Sequence, residues 1–198
     1  MRALGTPVLA AVLCAGCATD DYQVNEFLDP QTGVTIRAMA SPFVYVRDVN
    51  ETADNGREYV SVGAVEVNTM GARKHYLAVV SWSRINQKPS GAAVTGAEHV
   101  MLMLGGKPRE LIPVTQEPRS VGIREPPFRP EWGNLMGENW YVITPQELRA
   151  LAAATPDSID LIENGRTRKY VTMDRADASL RDFVRDFPAT VTNEPLAR

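Results

Sequence analysis

Apolar and polar residues alternate along much of the chain between residues 34 and 143. A period of two places one side of an extended segment in a core and the other in solvent, which is typical of a half-buried β-strand. Turn residues separate the alternating runs. We expect strands at residues 34–38, 43–46, 59–67, 75–83, 99–104, 110–112 and 139–143. Short strands with regular turn signals predict an antiparallel β-sandwich or a partly open barrel.

Two of the predicted strands carry additional information about their place in the sheet. In the strand at residues 59–67, Val60, Val62 and Ala64 share one side, whereas past Gly63 the apolar positions become Val65 and Val67 on the other side. A glycine at such a change predicts a bulge, or a strand that passes between two sheets. The strand at residues 75–83 is apolar on both sides, which predicts a central position.

The last third of the chain combines helical periodicity with a hairpin signal. Residues 144–147 read Thr-Pro-Gln-Glu, a capping box with proline at the first helical position, and predict a short helix. The Asn164-Gly165 pair between apolar runs predicts a two-residue hairpin turn. Four apolar residues at positions i, i+3, i+4 and i+7 form one face of a terminal helix: Leu180, Phe183, Val184 and Phe187. We expect Phe183 to be buried against the hairpin.

These elements assign the chain to the α+β class, mainly β. The β-sandwich-like region is predicted at residues 26–143. A helix–hairpin–helix unit at residues 144–198 is predicted to pack on the same domain. No residue motif in this globular part points to a named family.

The first residues have the layout of an export signal. Arg2 precedes an apolar run at residues 3–13, and small residues and a cysteine follow. This run is too short to cross about 30 Å of hydrocarbon as a permanent anchor, which favours a signal peptide at residues 1–16.

The cleavage region Leu13-Cys14-Ala15-Gly16-Cys17 resembles the lipobox of bacterial lipoproteins, where signal peptidase II cuts before an invariant cysteine. Its last three residues match the core of the lipobox, whereas Cys14 occupies a position that is usually aliphatic. The resemblance covers this segment alone.

The lipobox resemblance has consequences for modification and location. It implies that Cys17 becomes the first mature residue and carries the lipid, with residues 17–25 as a tether. Because Ala18 rather than Asp follows the cysteine, it also implies the outer membrane, facing the periplasm. The alternative is an ordinary secretory signal and an unmodified Cys17.

Charge and cysteine content narrow the possible functions. The chain has 21 Lys and Arg against 24 Asp and Glu, a formal charge of -3. This balance excludes a dominant nucleic-acid footprint, which needs a strong basic excess. A lipidated Cys17 and a removed Cys14 leave no thiol for catalysis or metal binding, and we predict no cofactor and no metal.

No catalytic constellation is apparent in the sequence. His75 and His99 are the two histidines, and neither has ligand spacing around it. The Gly-x-Ser-x-Gly, Ser-x-x-Lys and phosphate-loop motifs are absent. A dispersed triad stays open, because its members need not be neighbours in sequence. We therefore favour a non-catalytic binding or assembly module of the envelope. The alternatives are a periplasmic hydrolase acting on envelope material and an accessory subunit of a secretion or surface-export machine.

Residues 118–141 form the most unusual stretch, because they combine four prolines with aromatic residues and arginines. Long segments of this kind in a compact domain are often functional. Arginine and large aromatic residues dominate protein interfaces. We predict a surface for a protein partner that contains Arg124, Phe128, Arg129 and Trp132. The alternative is a loop that folds back over the sandwich with its aromatic rings in the core.

Overall fold

The computed structural model describes residues 24–49, 56–83, 99–128, 130 and 133–187. The predicted signal segment and Cys17 lie outside these residues. The strands are β1 (Val24–Asp29), β2 (Val34–Met39), β3 (Phe43–Val49), β4 (Gly56–Thr69), β5 (Ala72–Ser83), β6 (His99–Leu104), β7 (Lys107–Leu111), β8 (Asn134–Val142), β9 (Ser158–Glu163) and β10 (Arg166–Asp174). The helices are α1 (Pro145–Ala153), α2 (Asp177–Arg185) and a 3₁₀ helix at Pro118–Val121. The prediction of a mainly β, α+β fold is confirmed.

The described strands form one antiparallel sheet that curls into a half-barrel. One edge of β4 pairs with β5, and β5 pairs with β8. The other edge of β4 is shared by β3 and β2. From β3 the sheet continues through β10, β9, β6 and β7. The chain that leaves β7 then bridges to the outer edge of β8, where Val114 N–H donates to the Trp140 carbonyl oxygen at 2.7 Å.

Gly63 marks the position where β4 changes its partner strand. Residues before it pair with β3, up to Val62 opposite Phe43, and residues after it pair with β2, from Val65 opposite Ala38. The pairing with β5 continues through Gly63 without a bulge. The predicted passage between two sheets is therefore an exchange of neighbours within one sheet.

The two sides of the sheet are covered by different parts of the chain. The inner face carries aliphatic and aromatic residues that are almost fully buried: Phe43, Tyr45, Val60, Leu77, Tyr141 and Leu161. Helix α2 lies on this face against β2, where the Arg37 Nη1 donates to the Phe183 carbonyl oxygen at 2.6 Å. The outer face of β4 and β2 is covered by the segment after β7, where the Phe128 ring lies over Gly63 and Gly122 lies against Val67 and Val34.

The C-terminal elements are part of the sheet. The hairpin β9–β10 has the predicted turn at Asn164 and Gly165, but β10 pairs with β3 and β9 pairs with β6. Phe183 is fully buried, as expected, yet α2 packs on β2, β1 and α1 rather than on the hairpin. The strands of the hairpin complete the half-barrel through their edges, and the last helix lies on β2 and β1 instead.

Strand β1 has no counterpart among the predicted strands. It begins at Val24, so the last two residues of the predicted tether pair with Met39 and Ala38 of β2. Residues 25–28 are exposed. An edge strand with little buried surface has no apolar alternation, which is the signal that sequence analysis uses.

Candidate functional site

The proline-rich segment that follows β7 has a defined backbone structure, which begins with the 3₁₀ helix at Pro118–Val121. Gly122 follows the 3₁₀ helix with a φ of 88°, a left-handed conformation that favours glycine. Its N–H donates to the Arg119 carbonyl oxygen at 3.1 Å, and the Ile123 N–H donates to the Pro118 carbonyl oxygen at 3.0 Å. The Ser120 hydroxyl closes the beginning of the segment by donating to the Glu117 carbonyl oxygen at 2.8 Å.

Phe128 is a core residue, and the prediction that it is an exposed anchor for a partner is wrong. Its side chain is 4% exposed. A Cβ atom built on Gly63 would lie 2.3 Å from the Phe128 Cε2, so the ring occupies the space that the missing side chain leaves. For Phe128, the alternative interpretation holds: the segment folds back over the sheet and places this ring in the core. The other predicted aromatic anchor, Trp132, and Arg129 lie outside the described residues.

Arg124, the remaining member of the predicted surface, is exposed and lines a cleft. The cleft has a volume of about 370 Å³ and lies between the β1–β2 turn and the proline-rich segment. We name it the arginine cleft, and its lining consists of Gln31, Thr32, Arg119, Gly122, Ile123 and Arg124. Sequence analysis did not connect the β1–β2 turn with this segment, because about ninety residues separate them in the chain.

The wall of the arginine cleft formed by the β1–β2 turn is fixed by Asp29. The Asp29 Oδ1 accepts hydrogen bonds from the N–H groups of Gln31 at 2.9 Å and Thr32 at 3.4 Å. These backbone donors, the Gln31 N–H first, and the nearby positive charge of Arg124 hold the pKa of Asp29 below its usual range. Residue Asp29 is 6% exposed. Its charge is therefore engaged by the turn itself.

The two arginines of the cleft form no ion pair with any carboxylate in the described part of the chain. This distinguishes them from arginines such as Arg47, Arg57 and Arg175, which each contact an acidic side chain. Unpaired guanidinium groups beside a concave surface are suited to hold an anionic group.

Each histidine forms a pair with one carboxylate. The His75 Nε2 lies 2.9 Å from the Glu66 Oε2, and the His99 Nδ1 lies 2.6 Å from the Glu110 Oε1. The hydrogen bond from His75 lowers the pKa of Glu66, although burial acts in the opposite direction. Within the described ranges, no hydroxyl or thiol group is hydrogen-bonded to either histidine. The described contacts therefore assemble no dispersed Ser–His–acid triad.

A second polar cluster lies on the inner face, at the opposite end of β4 from Glu66. The Glu58 Oε2 accepts hydrogen bonds from the Arg47 Nη2 at 2.8 Å and the Tyr170 hydroxyl at 2.9 Å. Burial and the Glu58 charge raise the pKa of Tyr170. Arg168 joins the cluster through Glu163 at 3.3 Å.

Arg168 lies on the largely buried side of β10 rather than on a solvated strand face. Its side chain is 18% exposed. The period of two offered a signal, because it places Arg168 on the same face of β10 as the buried Tyr170. Two arginines and two glutamates balance in this cluster, which makes it a structural network.

The described ranges of the chain contain no group of three or more His, Cys, Asp or Glu residues that could hold a metal ion. None of their helices has the length and apolar character needed to cross a membrane. Comparison with protein-family models, with curated proteins and with solved structures finds no match to this chain.

Proposed function

We propose that the protein is a non-catalytic binding module of the bacterial cell envelope that holds an anionic group of its partner in the arginine cleft. The observation that carries this proposal is the pair of exposed arginines, Arg119 and Arg124, which lack a carboxylate partner in the described structure. They stand on a segment that Ile123 and Phe128 fasten to the sheet. A rigid display of charge reduces the entropy that is lost on binding.

The arrangement of the acid–base groups favours binding over the hydrolase alternative. General acid–base or nucleophilic chemistry needs a base within reach of a nucleophile or substrate. His75, 10% exposed at its side chain, is instead enclosed between Glu66 and the edge of the Phe187 ring, whose centroid is 4.8 Å away. Through the contact of His75 with Phe187, the His75–Glu66 pair fastens the end of the C-terminal helical region to the sheet.

The proposed binding role can be tested at the cleft in intact envelopes. A photo-crosslinking amino acid at Gln31, on the rim of the cleft, should form a defined adduct with the partner. The adduct should be lost when Arg119 and Arg124 are both replaced by glutamate, and should persist in the matched control Arg181→Glu, whose residue is exposed on α2. An adduct that is unaffected by the double replacement would contradict binding through the cleft.

We further propose that the chain is anchored by lipid on Cys17 at the periplasmic face of the outer membrane, as the lipobox resemblance implies. Growth with a clickable fatty acid should label the protein, and Cys17→Ala should abolish the label and leave an uncleaved precursor. Cys14→Ala is the matched control and should still be labelled, because this residue leaves with the signal. Equal labelling of the wild type and Cys17→Ala would refute the anchor.

A further inference from the structure

We infer that the arginine cleft is a site for a phosphate monoester, whose phosphoryl oxygens are shared by the guanidinium groups of Arg119 and Arg124. The inference rests on the proposed binding function and names the chemical class of its ligand.

The residues that line the cleft include two arginines and no acidic side chain. Arg119 and Arg124 are exposed and without a carboxylate partner among the described side chains, and the one buried acid nearby, Asp29, is engaged by backbone N–H groups. Lys74 adds a further positive charge to the same face of the sheet, because it stands opposite Val67, which Gly122 contacts. The acidic neighbours in sequence, Glu117 and Glu125, are exposed to solvent and form no ion pair with the two arginines in the described part of the chain.

The charge favours a phosphate monoester over a single carboxylate. A phosphate monoester carries about -1.5 to -2 charges at neutral pH, whereas a carboxylate carries one. Two guanidinium groups neutralise the former, and each can donate two parallel hydrogen bonds to its oxygens. A carboxylate can contact both arginines only by sharing its two oxygens and its single charge between two cations, so it compensates them less completely.

The remaining donors and the size of the cleft fit the same ligand. The Gln31 amide and the Thr32 hydroxyl line the cleft, and the Thr32 hydroxyl also hydrogen-bonds to the Asp29 carboxylate. The Gln31 amide is therefore the donor offered to the third phosphoryl oxygen or to the ester group. A volume of about 370 Å³ is at the lower end of the range for ligand sites, which suits a phosphoryl group with a small organic substituent.

The walls of the cleft are held in place before any ligand binds. Gly122 lies against the side chains of Val67 and Val34, where a Cβ atom would be 3.6 and 3.9 Å from them. The Asp29 turn holds Gln31 and Thr32 on the other side. Because both walls rest on the β1–β2–β4 part of the sheet, the spacing of the donors is set by the fold.

The experiment is a calorimetric titration of the purified full-length protein in detergent with glycerol 3-phosphate, inorganic phosphate and acetate. Glycerol 3-phosphate should bind at least tenfold more tightly than acetate. Arg119→Ala and Arg124→Ala should each weaken its binding tenfold or more, and the control Arg181→Ala should not change it. Arg124→Lys should also weaken binding, because an ammonium group keeps the charge but not the bidentate geometry. Equal binding of acetate, or full binding by the two alanine variants, would overturn the inference.

The source of the phosphoryl group is distinguished by competition. Phosphatidic acid added to the detergent micelles displaces glycerol 3-phosphate if a lipid headgroup reaches the cleft, and phosphatidylcholine serves as the control. If phosphatidic acid does not compete, the ligand is a soluble phosphate ester. Cleft-dependent crosslinking without phosphate binding would overturn the phosphate assignment alone, whereas phosphate binding without crosslinking would overturn the envelope role alone.

Discussion

Gly63→Ala tests how the proline-rich segment is held on the sheet. A methyl group at this position would lie 2.3 to 2.7 Å from three carbon atoms of the Phe128 ring, well inside van der Waals contact. The ring is 4% exposed and cannot move away without opening the segment. Overpacking of this kind costs about 1–3 kcal/mol. We therefore expect the free energy of unfolding to fall by that amount, which lowers the melting temperature by roughly 2–12 °C.

A double-mutant cycle with Phe128→Ala separates the steric clash from other effects of the glycine. Phe128→Ala alone should cost about 3–5 kcal/mol, because it leaves a cavity over the sheet. In that background Gly63→Ala should become neutral, or stabilising by up to about 1 kcal/mol, since alanine restricts the unfolded chain more than glycine does. The free energies come from urea unfolding followed by tryptophan fluorescence. If the two substitutions add within about 0.5 kcal/mol, the proposed contact does not exist.

Two further predictions concern the inner face of the sheet. Phe183→Ala should lower the free energy of unfolding by about 3–5 kcal/mol in urea, because the ring is fully buried beneath the Arg37 guanidinium. The control Arg181→Ala, at an exposed position, should change it by less than about 0.5 kcal/mol. A loss below about 1 kcal/mol for Phe183→Ala would show that α2 is peripheral to the core. The lowered pKa of Glu66 in the folded state means that its contribution is fully present above its ordinary value of 4.5 and is lost as the pH falls through the native pKa. The stability difference between the wild type and Glu66→Gln should therefore shrink as the pH falls from 4.5 to 3. A difference that grows over this range would contradict a lowered pKa of Glu66 in the folded state.

Local signals in the sequence predicted the elements whose formation depends on their own residues. The capping box at Thr144 and Glu147 is formed, with the Thr144 hydroxyl accepting from the Glu147 N–H and the Glu147 carboxylate accepting from the Thr144 N–H. The Asn164-Gly165 turn is present between β9 and β10, with Asn164 at a φ of 50° and Gly165 at 75°. Each of these signals acts over a few residues, so it can be interpreted without knowledge of the rest of the chain.

The candidate site was accessible to sequence analysis only in part. Arg124 was singled out because of its unusual surroundings, and it does line the cleft. The opposite wall, Gln31 and Thr32, carries no signal of its own, because a polar turn is the ordinary connection between two strands. Phe128 was predicted to be exposed because of the proline- and arginine-rich segment in which it lies. The composition of that segment does not show that Gly63, on a distant strand, leaves room for the ring on the sheet.

The sequence by itself determined that the chain is mainly β, where most strands and both helices form, and which residues of those elements are buried. These properties follow from periodicity, capping and turn chemistry, which are local. The tertiary structure alone decided that β4 changes neighbours at Gly63, that the hairpin β9–β10 lies between β3 and β6, and that two arginines meet the β1–β2 turn. Strand order and the approach of distant segments depend on how complementary surfaces fit in three dimensions, and a period of two is the same whichever strand becomes the neighbour.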